Sequence, residues 1–524
     1  MSNHLSNRTL MCGIVASLLF ACAFYQLPLF AINQNSYFIH GLAQAGYGFL
    51  AEDWLGRQTD HIPLFSALVI LIHDIGYHGI FRVLLAVMAG VYAASLAIIA
   101  AQAQGETKAK FWLVPQLLLF FALFTLLHVE WLLDPFAQGD LKRPVILLQR
   151  LANAITNGVA GQTILGPFFQ PSTFGVLMLT SIACFVQRRE YSAIVCAVIA
   201  AWVHPTYLLH AAILTAVYML ALTLERKSRQ ALTVGGLALI LVLPIVLYVA
   251  VELRPTSPAL LAQAQSILVD ERIPHHAKIS VWFSYVTWLK LAVAVAGILA
   301  AWPNRRLFLV LGLCGGISAL LSALQELSGS KGFALLFPWR LSTWLVPAGL
   351  AILLGRVVAL LLDGVQRLPA RAAAPVRTSM VAGSVIILVL TAFLGLRETL
   401  EGSPKNDPTI AYAAAHGAPD QTYLIPLDYS NFRLSAAVPV FVDWKSHPYR
   451  DVELIEWHTR TRLAKDFYEA TNATDAERAL AAIRAHTSIT HVVLESDDEL
   501  RLPIVGGTPL FRDEKHIVVE LQKD

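Results

Sequence analysis

Apolar runs of membrane-crossing length recur along this chain as far as residue 396, and no other feature restricts its fold so severely. About eleven can be marked, at 10–32, 80–103, 111–131, 172–187, 191–204, 207–224, 232–251, 280–301, 307–324, 336–361 and 379–396. A hydrocarbon core about 30 Å thick takes about 20 helical residues, and backbone polar groups inside it must pair within their own segment. The expectation is an α-helical polytopic membrane protein of about eleven transmembrane helices. Composition agrees, with 56% hydrophobic and 14% charged residues. The run 191–204 is short and is expected to be tilted, broken or fused with its neighbour. The first run passes through Ala21-Cys22-Ala23, which resembles a cleavage site. Its apolar character continues to Ile32, so an uncleaved first helix is expected.

Charge placement orients the spans. Lys108 and Lys110, Arg188 and Arg189, Arg226 with Lys227 and Arg229, Arg305 with Arg306, and Arg367 with Arg371 and Arg377 all fall in short connections on one side. Short cytoplasmic loops carry such an excess of Lys and Arg. The amino terminus is then inside, and the loops 33–79, 132–171, 252–279 and 325–335 and the carboxyl-terminal segment are outside. The outer side is then the periplasm or its equivalent. The net charge of +3 is too small and too scattered to indicate nucleic acid. The five cysteines lie in apolar runs without metal-ligand spacing, so neither a disulfide framework nor a zinc site is implied.

The expected division is a membrane domain over 1–396 and an extracytoplasmic domain over 397–524. The latter shows strand-like runs at 422–427, 438–442, 491–494 and 516–521 and helical patterns at 451–469 and 475–486. That alternation predicts a small mixed α/β domain.

Candidate chemistry concentrates on the outer side. In the first outer loop, Tyr37, Phe38, Leu42, Tyr47 and Phe49 among small residues suit an interfacial helix, which would hold Glu52 and Asp53 at headgroup depth. A carboxylate there can act as a base toward an acceptor or hold a cation; the plainer reading is a solvated pair. Arg57 follows, then Asp60 and His61, a short apolar stretch at 62–72 that reads as re-entrant or interfacial, and His73, Asp74 and His78. Asp60, His61, His73 and Asp74 are candidate ligands for a divalent cation, although their spacing matches no established metal pattern. In the second outer loop Arg143 and Arg150, near Asp140 and Lys142, suit a phosphate or an anionic headgroup. His204 interrupts apolar sequence and either joins a site or caps a helix. Arg340 either clamps a lipid phosphate or snorkels. Lys445, in the block Phe441 to Pro448, either contacts substrate or pairs with a carboxylate.

Many spans, an acid in the first outer loop beside interfacial helices and an outer carboxyl-terminal α/β domain together resemble the GT-C superfamily of integral membrane glycosyltransferases. The blocks Asn33 to Gly41 and Phe441 to Pro448 also resemble an uncharacterised bacterial membrane-protein family that carries no known activity. The GT-C resemblance implies transfer of a sugar from a polyprenyl-phosphate lipid donor to an extracytoplasmic acceptor. Asp53 would be the catalytic base or metal contact, with Glu52 the other candidate. Arg57, Arg143, Arg150, His204, Arg340 and Lys445 are the candidates for binding substrate or phosphate. Two other classes use the same features: a transporter or flippase of a lipid-linked or anionic substrate, and a non-catalytic membrane assembly protein.

Overall fold

The computed structural model describes residues 7–105, 114–136, 141–402, 407–498 and 500–522; Lys108, Lys110 and Asp140 lie outside the described residues. Among the described residues, six helices are long and apolar enough to cross a membrane: Ile80–Gln102, Pro205–Leu224, Ser228–Glu252, Arg305–Ser328, Lys331–Gln366 and Ala370–Glu401. The chain is therefore a multi-pass helical membrane protein by length and composition. The other five expected crossings fall on apolar helices of 10–17 residues, so the count of eleven is not reached on length. Glu190–Val203, of 14 residues, covers only about 21 Å. The reason is visible after Asn7–Ala23. Hydropathy continues to Ile32, but Gln26 turns to the Thr399 hydroxyl (3.1 Å) and the Arg82 carbonyl (3.0 Å). Pro28 removes a donor, and Phe30 and Ile32 adopt positive φ. Apolar residues thus outrun the helix.

The chain divides into two compact units. The first comprises residues 1–26, 82–246 and 269–401. Its helices meet through small residues: a Cβ on Gly297 would lie 2.2 Å from the Gly349 Cα, so Tyr285–Ala300 and Ser342–Gln366 touch backbone to backbone. Charges bind helix ends. Arg306, 6% exposed, donates to Glu190 (3.0 Å), Glu225 (2.7 Å) and the Phe185 carbonyl (2.8 Å). Arg356 donates to the carbonyls of Ala103 (2.9 Å) and Ala300 (2.7 Å) and to Gln104 (2.8 Å). Carbonyls at helix ends have no intrahelical partner, and a guanidinium supplies one.

The second unit comprises residues 27–81, 247–268 and 402–524. Its carboxyl-terminal part carries a four-stranded mixed sheet in the order β1 (Tyr423–Leu424), β2 (His491–Glu495), β4 (His516–Glu520), β3 (Thr508–Arg512). β1 is parallel to β2, and the other pairs are antiparallel. The run expected as a strand at 438–442 makes only a single bridge, Val440 to Tyr423. β3 is not among the expected strands; it is an exposed edge that contains Pro509 and lacks the strand pattern. Helices Asp451–Tyr468 and Ala473–His486 lie close to expectation. The core gathers Ile410, Tyr423, Ile425, Phe432, Val438, Val440, Val493 and Val518, with Phe49 packed against it. Residues 27–81 fold into short helices, Gln34–Tyr37, Ile39–Gln44 and Pro63–Asp74. Gly48, at φ +53°, approaches Ala437 so closely that a Cβ would lie 2.4 Å from its side chain, and the neighbouring Phe49 N–H donates to the Ala437 carbonyl (2.8 Å).

Candidate functional site

Asp53 is wholly buried at the end of a short 3-10 turn, Leu50–Glu52. One carboxylate oxygen accepts the Leu55 and Gly56 N–H groups (2.8 and 3.2 Å), which fixes the turn that follows. The other accepts Arg433 Nε (3.0 Å) and the Val440 N–H (2.8 Å). Arg433, 2% exposed, also pairs with Asp443, whose second oxygen accepts the Ser446 N–H (2.7 Å). The triad Asp53–Arg433–Asp443 is closed: both oxygens of Asp53 are already engaged by donors. Burial opposes the Arg433 charge, but the carboxylates of Asp53 and Asp443 outweigh it and hold the guanidinium pKa above its ordinary value. Burial also raises the Asp443 carboxyl, against the pull of Arg433. The Trp457 indole N–H donates to the Asp443 carbonyl (3.1 Å), and the Ser446 hydroxyl to that of Asn35 (3.2 Å).

Glu52, next in sequence, points the other way. Its side chain is 46% exposed and pairs with Arg57, whose Nε donates to the Ala51 carbonyl (2.8 Å). Both line a pocket of about 230 Å³ with Trp54, Gln58, Thr422, Pro439, Val440, Arg460 and Thr487. The Arg460 guanidinium lies 4.5 Å from the Trp54 ring centre and 5.2 Å from that of Phe441, while its Nε is held by Glu456 (2.7 Å). One carboxylate, two guanidinium groups, an amide and an indole therefore converge on one concavity. Such a set can orient hydroxyls and meet an anion.

Asp60 and His61 lie on the turn before Pro63–Asp74 and come together with His40 of Ile39–Gln44, with ligand atoms within 4.8 Å of one another. Burial lowers the His40 pKa, opposed by the Asp60 charge. His73 instead contacts His78, ring nitrogen to ring nitrogen (3.1 Å), and Asp74 is exposed. A second His and Asp group, Asp407, Asp513 and His516, also lies close together. Its carboxylates are already used: Asp407 caps a helix through the Thr409 and Ile410 N–H groups, and Asp513 accepts from Thr409 and from the Lys515 and His516 N–H groups. Lys445 is half-buried, and its carbonyl accepts the Ser36 hydroxyl (3.1 Å).

The remaining candidates belong to the first unit. Arg340 donates to Gln162 (3.2 Å), stacks 4.8 Å from the Phe337 ring centre and acts electrostatically on His204 and His210. His204 and Arg340 thus lie near enough to interact electrostatically. Nearby in the same unit, buried Lys290 donates to the Gly158 carbonyl (2.7 Å). Arg143 and Arg150 are exposed on the helix Lys142–Thr156 beside the exposed Leu147, Leu148 and Leu151. That amphipathic face suits an interface with lipid.

Sequence reasoning did not single out His40, Arg460 or Lys290. A lysine within an apolar helix is a signal that could have marked Lys290. His40 and Arg460 carry no local mark, since their partners lie in other segments. Residues 407–464 match the model of a family described as a domain of unknown function, DUF6798. The matched stretch includes Arg433, Asp443 and Arg460. No curated protein matches the chain.

Proposed function

We propose that the chain is an integral membrane glycosyltransferase of the GT-C kind, moving a sugar from a polyprenyl-phosphate donor to an extracytoplasmic acceptor, with Glu52 as its first-loop base. The observation that supports it is the Glu52 pocket, where an accessible carboxylate faces Arg57 and Arg460 beside Trp54. In this reaction Glu52 takes the proton of an acceptor hydroxyl, whose oxygen forms a bond to the anomeric carbon. The bond from that carbon to the lipid phosphate breaks, and the phosphate leaves with the electron pair, met by Arg57 and Arg460; direct displacement inverts the anomeric centre. Asp53 positions the loop and touches no reacting atom. The shorter apolar helices complete eleven crossings as tilted or broken segments. The amino terminus is cytoplasmic, the carboxyl-terminal domain lies outside, and the membrane is the bacterial inner membrane.

The closed triad also suits a non-catalytic assembly protein, in which the second unit serves only for docking. One experiment separates the two. Membranes containing the chain are supplied with undecaprenyl-phosphate-linked radiolabelled glucose, mannose or galactose, and transfer is followed in wild type and Glu52→Gln. A general base contributes about 10²–10⁴-fold, so transfer should fall by that factor in the variant while thermal stability is unchanged. Full transfer by Glu52→Gln overturns the role of Glu52, and the absence of transfer from every donor by wild type favours docking.

A further inference from the structure

We propose that His40, Asp60 and His61 form a binding site for one first-row transition-metal dication. The inference stands on the geometry of the second unit alone and does not depend on the transfer reaction. Three observations carry it. The ligand atoms of the three side chains lie within 4.8 Å of one another. In a tetrahedral site with bonds of about 2.0–2.2 Å, neighbouring ligand atoms are about 3.4 Å apart, so they need draw in by at most about 1.4 Å. His40 is 2% exposed, and its Nδ1 has no hydrogen-bond partner among the described residues. The Gly56 backbone also lies within reach of the His40 ring. A ring N–H held by a carbonyl is the usual outer support of a metal-bound imidazole, because it fixes both tautomer and ring direction.

The third observation is the rigidity of the carboxylate. Asp60 Oδ1 accepts the Ile62 N–H (3.0 Å), and its backbone carbonyl accepts the Tyr248 hydroxyl. The His61 ring lies 3.9 Å from the Tyr449 ring, centre to centre. The ligands are therefore set by two elements of the same unit before any ion arrives.

The donor set decides the class of ion. Two imidazole nitrogens and one carboxylate oxygen suit Zn²⁺, Co²⁺, Ni²⁺, Mn²⁺ or Fe²⁺ and leave at least one coordination position open, whereas Ca²⁺ and Mg²⁺ take oxygen ligands almost alone. Asp60 is only half-buried, so solvent reaches that edge of the group.

The test uses the full chain, purified in detergent without a polyhistidine tag and stripped with a chelator. Co²⁺ is added as the spectroscopic probe and Zn²⁺ as the competitor. The expected result is one equivalent of Co²⁺ with visible d–d bands of a four- or five-coordinate site, displaced by Zn²⁺, and a rise in melting temperature on loading. Asp60→Asn and His61→Asn should each weaken binding at least a hundredfold and abolish the bands. His73→Ala should leave both intact. Because buried variants can fail to fold, each is first checked for the wild-type elution profile, and Asp60→Asn, the less buried position, is decisive. Absence of stoichiometric binding by wild type overturns the proposal. So does binding that survives Asp60→Asn, or that is lost in His73→Ala.

Discussion

The closed triad yields the sharpest prediction, because it separates a structural acid from a chemical one. In Asp53→Asn the new amide nitrogen must replace one of two oxygens. Each oxygen accepts two hydrogen bonds, Oδ1 from Leu55 and Gly56 and Oδ2 from Arg433 and Val440. At either position an N–H₂ group would face two donors and accept neither. The variant also leaves Arg433 with one carboxylate instead of two in a site no more than 2% exposed. Removing one partner of a buried pair costs about 3–5 kcal/mol. For a unit of this size about 2–4 °C accompanies each kcal/mol, so the melting temperature should drop by roughly 6–20 °C. Arg433→Met should cost as much. Replacing all three, as Asp53→Asn, Arg433→Met and Asp443→Asn together, should recover much of the loss, since no uncompensated charge remains. The assays are thermal unfolding of the full chain in detergent and hydrogen exchange of the segment 431–446, whose Val440 and Ser446 amides report directly on the triad. The reasoning fails if Asp53→Asn melts within about 1 °C of wild type. Loss of transfer in such a stable variant would identify Asp53 as the base.

Two further outcomes follow from packing and charge in the first unit. Gly297→Val places branched carbon where Gly349 Cα would be 2.2 Å from the first added atom; it should cost at least the about 1–3 kcal/mol typical of overpacking and reduce the monodisperse fraction on size-exclusion chromatography. Arg306 donates to Glu225 and holds that carboxyl at about 2, below its ordinary 4.5. Its contribution is therefore complete above about pH 4.5 and fades as pH falls toward 2. Glu225→Gln should remove that acid-dependent loss of stability, and an unchanged pH profile would count against the pairing.

How far the sequence could be read depended on the range of the interaction. Apolar runs reported membrane residence because burial in hydrocarbon acts on every residue of a span. The helix Asp451–Tyr468 and the strand His491–Glu495 fell close to their expected places because periodicity and β-branched content are local. The single bridge of Val440 was less legible, since the same alternation serves a strand and an extended segment. Site assembly was the least legible. Glu52 and Asp53 are adjacent and chemically alike, yet one is buried among four donors and the other lines a pocket. That difference is set by Arg433 and Val440, distant residues that no periodic pattern ties to position 53. His40 likewise reads as one more polar residue in an aromatic loop until the fold brings Asp60 and His61 beside it. The residues 33–79, expected with the membrane domain, fall in the same compact unit as the carboxyl-terminal segment for the same reason.

The bond between Arg433 and Asp53 spans 380 residues of chain. At synthesis rates of about 5–20 residues per second, Asp53 is made roughly 20–80 s before its partner exists. Through that interval its carboxylate must stay hydrated or be covered by another molecule, because burying it alone would be costly. The first loop therefore cannot finish folding until the ribosome has delivered Arg433. A transcript cut short before residue 433 would leave a charged, half-formed loop, which quality-control proteases could recognise.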